Sequence, residues 1–284
     1  MTTSREFHYR LPHRSGGWRP GSHPGSSLGA GQEFVSHVKL YDRPDPRRLD
    51  LRASLREVRG DWLVRTHRQR VSVPVHVIAD VSSSMSFGSP KSKLQVAADF
   101  VTALGHSAFR VGDALGMLAF DAHERRDLFV PALLSRGVGE VMASLLAECE
   151  GTAGSSDGLE EAATHLAGRH GLIFIASDFH WRLDRLGDVL DMLAHSYIVP
   201  LVIWDPAETQ PPQRDGLLPL RDVESNRRST VWLRPSMRTR WHEAVERRRG
   251  ELNSLFAARG IRPFYVSGAF DGEALSHYFF EATA

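Results

Sequence analysis

Residues 73–85 read VPVHVIADVSSSM, an apolar run that ends in an aspartate and three serines. The run is rich in β-branched residues, which is typical of a buried strand in a parallel sheet. Asp80, Ser82 and Ser84 then follow where the strand ends. Because ligands of open α/β sheets bind beyond the carboxyl ends of the strands, this stretch predicts both the fold class and the position of a site.

The residue types after the strand are suited to a hard cation. One carboxylate and two hydroxyls at alternate positions can converge on Mg²⁺, which takes about six oxygens at roughly 2.0 to 2.1 Å and retains several waters. We therefore predict a Mg²⁺ site, with Mn²⁺ or Ca²⁺ as the other candidates. The competing explanation is a Ser-rich turn without a metal, since Ser and Asp often bond nearby backbone groups.

The run Asp80-Val81-Ser82-Ser83-Ser84 resembles the metal-ion-dependent adhesion site (MIDAS) of von Willebrand factor A domains, whose first loop reads Asp-x-Ser-x-Ser. The resemblance implies an aspartate on a third loop, and Asp178 follows a second apolar run, although Phe179 replaces the Gly that often comes next. For the second loop it implies a hydroxyl. Thr152 keeps the residue type and Ser156 keeps the position before a helix, so both remain candidates.

Upstream segments extend the resemblance. Residues 25–34 (GSSLGAGQEF) and 41–50 (YDRPDPRRLD) are similar to the Gly-rich and Arg-Asp segments that precede this domain in bacterial DUF58 proteins. Those proteins commonly end the second segment in Asp-Trp, whereas this chain has Asp50-Leu51. Residues 43–56 look more like the MxaS-like branch, found in methanol dehydrogenase gene clusters.

The family resemblance implies a binding protein that is not an enzyme. The expected role is a metal-dependent adaptor or co-chaperone that acts with a MoxR-type AAA+ ATPase on a client protein offering an acidic side chain. In the MxaS-like case the client is methanol dehydrogenase. The alternatives are a metal-dependent hydrolase that uses the same site, for which His180 is the only non-acidic titratable neighbour of Asp178, and a structural interaction protein with a decayed metal site.

Alternating apolar runs and amphipathic stretches predict a doubly wound, mostly parallel α/β sheet with helices on both faces, as in von Willebrand factor A domains. With 284 residues and 42% hydrophobic content, the chain can bury a sizeable core. Strands are predicted at Pro74–Ala79, Ala114–Phe120, Gly171–Ser177, Ser196–Ile203 and Ile261–Ser267. Helices are predicted around Leu94–Ala108 and at Gly137–Glu148, Gly158–Ala167, Leu183–His195 and Ser236–Arg259. An inserted β-hairpin is predicted at about 211–235.

Residues 1–73 are predicted to be a basic N-terminal segment before a domain at residues 74–284. The segment has 14 Lys or Arg against 7 Asp or Glu, although the net charge of the whole chain is only +1. This excess favours an acidic partner surface over nucleic acid, because no interleaving of aromatic and basic residues accompanies it. The Gly-, Pro- and Ser-rich stretch Ser15–Gly31 is predicted to be a flexible or irregular lead-in.

The expected compartment is the cytoplasm. The single cysteine, Cys149, excludes an internal disulfide, and the polar first residues lack the apolar core of a signal peptide. No apolar run approaches 18 residues, so no membrane span is expected.

Overall fold

The computed structural model describes residues 6–12, 20–29, 31, 33–149, 156–221 and 228–283. The chain divides into two compact units. The smaller unit is Arg10–Val73, and the larger unit is Pro74–Ala284 together with the residues before Arg10.

The smaller unit is built on a three-stranded antiparallel sheet. Its elements are β1 (Pro20–Gly29), β2 (Glu33–Lys39), α1 (Leu51–Ser54) and β3 (Leu63–Val71). The strands lie in the order β1-β3-β2, and both outer strands run antiparallel to β3.

The prediction of an irregular lead-in at Ser15–Gly31 was therefore wrong for β1. Glycine makes this strand possible, because a Cβ at Gly21 would lie 2.2 Å from the backbone nitrogen of Ser72, and one at Gly25 would lie 2.5 Å from the carbonyl oxygen of Gln69. The composition that suggested an irregular segment instead allows two backbones to approach closely.

A buried aspartate organises the smaller unit. One Asp50 oxygen accepts a hydrogen bond from the Ala53 N–H at 3.0 Å and caps α1, while the other accepts Arg65 Nε at 2.7 Å and lies 3.0 Å from His37 Nε2. Bonds from Arg65, the Ala53 N–H and His37 hold the pKa of Asp50 well below its usual value. The carboxylate thus joins β2, α1 and β3.

The larger unit contains the central sheet and seven helices among its described residues. Its elements are β4 (Pro74–Asp80), α2 (Lys93–Val111), β5 (Ala114–Phe120), β6 (Val130–Leu133), α3 (Val138–Ala147), α4 (Ser156–Thr164), β7 (Leu172–Ser177), α5 (Leu186–Met192), β8 (Tyr197–Trp204), α6 (Pro206–Thr209), β9 (Gly216–Arg221), β10 (Arg228–Leu233), α7 (Pro235–Ala257), β11 (Phe264–Ser267) and α8 (Gly272–Thr283).

The six strands of the central sheet lie in the order β11-β8-β7-β4-β5-β6 and are parallel except for β6. This is the doubly wound order, in which the strand order reverses between β4 and β7. All five predicted strands are present. The structure adds β6, an edge strand of only four residues that contains Pro131, and both its length and the proline are atypical of the buried strands that were predicted. Strands β9 and β10 pair antiparallel, as expected for the predicted hairpin.

Helices cover both faces of the sheet. On one face, Phe174 of β7 packs against Phe100 of α2 and Phe279 of α8, with ring centroids 5.0 and 6.2 Å apart. On the other face, its neighbours Ile173 and Ile175 join a buried cluster that includes residues of α4, α5 and α7. The alternation along one strand therefore fills two layers of core. Within the described part of the chain, the helices are too short or too polar to traverse a bilayer.

The residues before Arg10 belong to the first of these layers. Phe7 is 1% exposed, and its ring centroid lies 6.3 Å from that of Phe100 and 6.1 Å from that of Phe270. The Tyr9 hydroxyl donates to Asp113 Oδ2 at 2.6 Å. The core of the larger unit thus includes side chains that precede the smaller unit in sequence.

We expect Phe7→Ala to destabilise the larger unit by about 3–5 kcal/mol, because it leaves a cavity among three aromatic rings. The measurement is urea unfolding followed by far-UV circular dichroism, which reports chiefly the helices of this unit. Phe129→Ala is the matched control: Phe129 is 53% exposed, and the expected change is within about 1 kcal/mol. Equal effects of the two substitutions would contradict the placement of Phe7 in the core.

We expect Asp50→Asn to lower the stability of the smaller unit at neutral pH. The difference in stability between the variant and the wild type should become smaller in acid. A carboxylate with a lowered folded pKa stabilises the fold above its unfolded pKa of about 3.9, and that stability is lost as the pH falls below this value. Hydrogen exchange of peptides from residues 33–71 measures the difference, with the exposed Asp42→Asn as control. A difference independent of pH would contradict the expectation.

Candidate metal centre

The loops after β4 and β7 meet at one edge of the central sheet. These strands are parallel neighbours with Ala79 opposite Ala176, so their carboxyl ends coincide. The Ser177 hydroxyl at the end of β7 donates to Asp80 Oδ2 at 2.6 Å. The structure therefore brings the predicted first and third loops together, at the point where the strand order reverses.

Asp80 is fully buried and held by neutral donors. Its Oδ1 accepts the Ser82 N–H at 2.9 Å, and its Oδ2 accepts the Trp181 indole N–H at 3.0 Å as well as the Ser177 hydroxyl. Burial, followed by the charge of nearby Asp178, raises the pKa of Asp80 to about 6. These donors fix the carboxylate in position. None of them is a cationic side chain, so none neutralises its negative charge.

The two serine hydroxyls of the first loop lie side by side. Ser82 Oγ and Ser84 Oγ are 3.1 Å apart, with Ser82 buried and Ser84 half-buried. A short 3-10 turn over Ser83–Ser86 produces this arrangement, and the fully buried Met85 anchors it. Adjacent oxygens around an octahedral Mg²⁺ are about 2.8–3.0 Å apart, so the hydroxyl pair fits one edge of such a shell.

Asp178 forms a buried ion pair that the sequence did not predict. Its Oδ2 lies 2.6 Å from Lys93 Nζ, its Oδ1 accepts the His180 N–H at 3.0 Å, and the side chains of Asp178 and Lys93 are 0% and 2% exposed. Lys93 Nζ also lies 2.6 Å from Glu208 Oε1. The ammonium group therefore joins the first turn of α2 to the loops after β7 and β8.

Glu208 is fixed by a capping box at the start of α6. Its Oε2 accepts the Asp205 N–H at 3.0 Å, and Asp205 accepts the Ala207 N–H at 2.8 Å in return. Burial opposes ionisation of Glu208, but His180 and Lys93 outweigh it and lower its pKa to about 2. The run Asp-Pro-Ala-Glu after an apolar strand carries this signal in the sequence. No comparable signal marks Lys93, because a lysine in the first turn of a helix is ordinarily solvated.

Phe179 follows Asp178 with a left-handed backbone, φ 52°. Glycine adopts this conformation without strain because it has no Cβ. For a residue with a Cβ it costs roughly 1–2 kcal/mol. Burial offsets the strain here, since the Phe179 ring lies 5.6 Å from that of Trp181 and 5.7 Å from that of Phe256.

The predicted second-loop ligands cannot be located in the same way. Thr152 lies outside the described residues. Ser156 is the first residue of α4, and its side chain is also outside the described part of the structure. The sequence-based alternatives for this loop therefore stay open.

One group of side chains at this edge has the composition of a metal site. Ligand atoms of Asp178, His180 and Glu208 lie within 4.8 Å of one another. Lys93 already supplies a positive charge between two of them, and His180 Nε2 lies 3.7 Å from Glu208. This group is an ion-paired cluster, whereas the donors that fit a cation are Asp80, Ser82 and Ser84.

Lys93→Met should destabilise the larger unit by about 3–5 kcal/mol, because it leaves Asp178 and Glu208 close together without their counter-ion. Urea unfolding in the presence of EDTA measures the change without a metal replacing the ammonium group. Lys91→Met is the matched control, since Lys91 forms an equally short pair with Asp99 but is 49% exposed, and the expected change is below about 1 kcal/mol. A Lys93 variant as stable as the control would contradict the buried-pair interpretation.

Comparison with known proteins gives one family match. Residues 40–251 match the family described as "Protein of unknown function DUF58". A protein from Paracoccus denitrificans described as "Uncharacterized protein in moxR 3'region" is 28% identical over 95 residues, which is 34% of this chain and 90% of that protein.

Two solved structures are also similar to this chain. The conserved hypothetical protein BatB from Bacteroides thetaiotaomicron has a TM-score of 0.46 at 16% identity, covering 74% of this chain and 98% of that chain. An aerotolerance-related membrane protein from Bacteroides fragilis has a TM-score of 0.45 at 14% identity, covering 75% of this chain and 98% of that one. Because the family match spans more than half of the sequence, the chain belongs to the DUF58 family of proteins of unknown function.

Proposed function

We propose that this chain is a metal-dependent protein-binding adaptor or co-chaperone that acts with a MoxR-type AAA+ ATPase on a client complex. Asp80, Ser82 and Ser84 would hold a Mg²⁺ ion, with Thr152 or Ser156 from the second loop, and Asp178, whose carboxylate already pairs with Lys93, would contribute through a water molecule. The observation that carries the proposal is the pair of serine hydroxyls, 3.1 Å apart, beside a fixed aspartate at the strand-order reversal.

Several features support a site of the von Willebrand factor A type. The mostly parallel central sheet, and the position of Asp80 and Asp178 at the carboxyl ends of β4 and β7, agree with the expectation from the Asp-x-Ser-x-Ser motif. A bound divalent ion supplies an electrophilic position for a carboxylate of another protein. The chain's own groups orient that position: Ser177 and Trp181 hold Asp80, and Met85 holds the serine turn.

The immediate surroundings favour binding over hydrolysis. The described partners of the Asp80 carboxylate are hydroxyl, amide and indole donors, none of which is a general base at neutral pH. Lys93 Nζ, 2.6 Å from Asp178, is held as an ammonium group between two carboxylates, and His180 Nε2 lies 3.7 Å from Glu208 while its ring stacks on Trp204 with centroids 6.1 Å apart. These contacts give the imidazole a structural role.

The choice of partner is supported by the relative from Paracoccus denitrificans, whose description locates it in the region 3' of moxR. Genes that lie together often encode proteins that act together, so a MoxR-type ATPase is the partner we propose. We place this interaction in the cytoplasm. Methanol dehydrogenase as the client rests on the similarity of residues 43–56 to the MxaS-like branch.

Isothermal titration calorimetry tests the metal site. We expect the wild-type chain to bind one Mg²⁺ or Mn²⁺, and Ser84→Ala to weaken binding by roughly tenfold to a hundredfold, because a hydroxyl ligand is lost. Ser86→Ala is the control, since Ser86 is an exposed serine in the same turn. Unchanged metal affinity in Ser84→Ala would remove Ser84 from the site.

The adaptor role is tested with a purified MoxR-type AAA+ ATPase. We expect the purified ATPase to bind the wild-type chain in Mg²⁺ and to be released by EDTA, with Ser82→Ala and Ser84→Ala both impaired. Binding that resists EDTA and both substitutions would overturn the metal-dependent mechanism. Magnesium-dependent turnover of generic phosphate or ester substrates, abolished by Asp80→Ala, would instead favour the hydrolase.

A further inference from the structure

An apolar groove adjoins the candidate metal centre. We use this name for the cavity of about 870 Å³ whose apolar lining comes from Phe87, Ala207, Pro212, Leu218, Pro219 and Trp241. Its polar lining includes Ser84, one of the proposed metal ligands, and Glu208. The cavity has the size of pockets that take small ligands or side chains.

The walls of the groove come from separate parts of the larger unit. Phe87 follows the serine turn and is 39% exposed, Leu218 lies on β9, and Trp241 lies on α7. The Trp241 indole N–H donates to the Glu208 carbonyl oxygen at 2.6 Å, which fixes the ring against α6. The hairpin β9–β10 lies outside the central sheet, so it adds an apolar wall beside an otherwise polar site.

The charges at the groove define what complements it. Among the residues that line it, Glu208 alone is charged, and Lys93 pairs with its carboxylate at 2.6 Å. No Lys or Arg side chain lines the groove, which argues against a phosphate backbone as its occupant. With a cation at Ser84, the complementary group at this end is a carboxylate, and along the walls it is apolar surface.

We propose that the apolar groove binds a peptide segment of a partner protein in which an Asp or Glu is adjacent to large apolar residues. The carboxylate lies at the metal end, beside Ser84, and the apolar side chains lie against Phe87, Leu218 and Trp241. This inference rests on the proposed function for its acidic end. The groove adds the specificity, because a carboxylate alone would not distinguish one acidic surface from another.

The test is selection from a displayed library of random peptides on the full-length chain in millimolar Mg²⁺, with elution by EDTA. We expect the eluted peptides to carry Asp or Glu next to Leu, Ile, Phe, Met or Trp. A synthetic peptide of the enriched sequence should bind Leu218→Ser about tenfold more weakly than wild type, measured by fluorescence anisotropy. Phe87→Ser should have a similar effect through a different segment of the chain.

Leu217→Ser is the matched control, because Leu217 lies next to Leu218 on β9, is 65% exposed and does not line the groove. We expect this variant to bind the peptide as wild type does. Circular dichroism of the Leu218, Phe87 and Leu217 variants checks that the substitutions leave the fold intact.

The outcomes separate the groove from the metal site. Three results would overturn the groove: acidic peptides without apolar residues, peptides that bind equally to Leu218→Ser and Leu217→Ser, or no EDTA-eluted peptides at all. Mg²⁺ calorimetry on the same preparation then decides whether the metal site itself stands. Apolar peptides that stay bound after the EDTA step and are released only by denaturant would overturn the acidic end. A dimer in light scattering that Leu218→Ser dissociates would assign the groove to a second copy of the chain.

Discussion

Negative charge at the carboxyl edge of the central sheet is the constraint on which the candidate site depends. Because β4, β7 and β8 are neighbours in the sheet, Asp80, Asp178 and Glu208 follow strands that end at the same edge. Like charges repel strongly where water is excluded. Lys93 offsets this repulsion for Asp178 and Glu208, and neutral donors hold Asp80. The first turn of α2 is therefore positioned by charge as well as by apolar packing.

The central sheet and half of the site could be predicted from the sequence, for a physical reason. Buried parallel strands need continuous apolar runs, and side chains just beyond such runs meet at one edge, which identified Asp80 and Asp178 as neighbours. Lys93 could not be found in this way, because its burial depends on carboxylates 85 and 115 positions away. Likewise, β1 has a composition typical of irregular segments, and its pairing with β3 is visible only in three dimensions.

At Phe179, tertiary packing offsets the cost of an unfavourable backbone conformation. A residue other than glycine in the left-handed region is unfavourable by itself, and backbone preference alone would place glycine there. The side chain is completely buried among aromatic neighbours, and Arg248 Nε donates to its carbonyl oxygen at 3.1 Å. The third loop is thus held by α7, the same helix that supplies Trp241 to the apolar groove.

The burial of Phe7 and Tyr9 has a consequence for biosynthesis. The His8 N–H donates to the Ser276 hydroxyl, 268 positions further along the chain, and Phe7 packs against Phe270. During synthesis Phe7 and His8 therefore emerge long before Phe270 and Ser276. Phe7 can pack against Phe100 early, but its environment is completed only when Phe270 is in place, so the core of the larger unit depends on contacts of very high sequence separation, which slow folding.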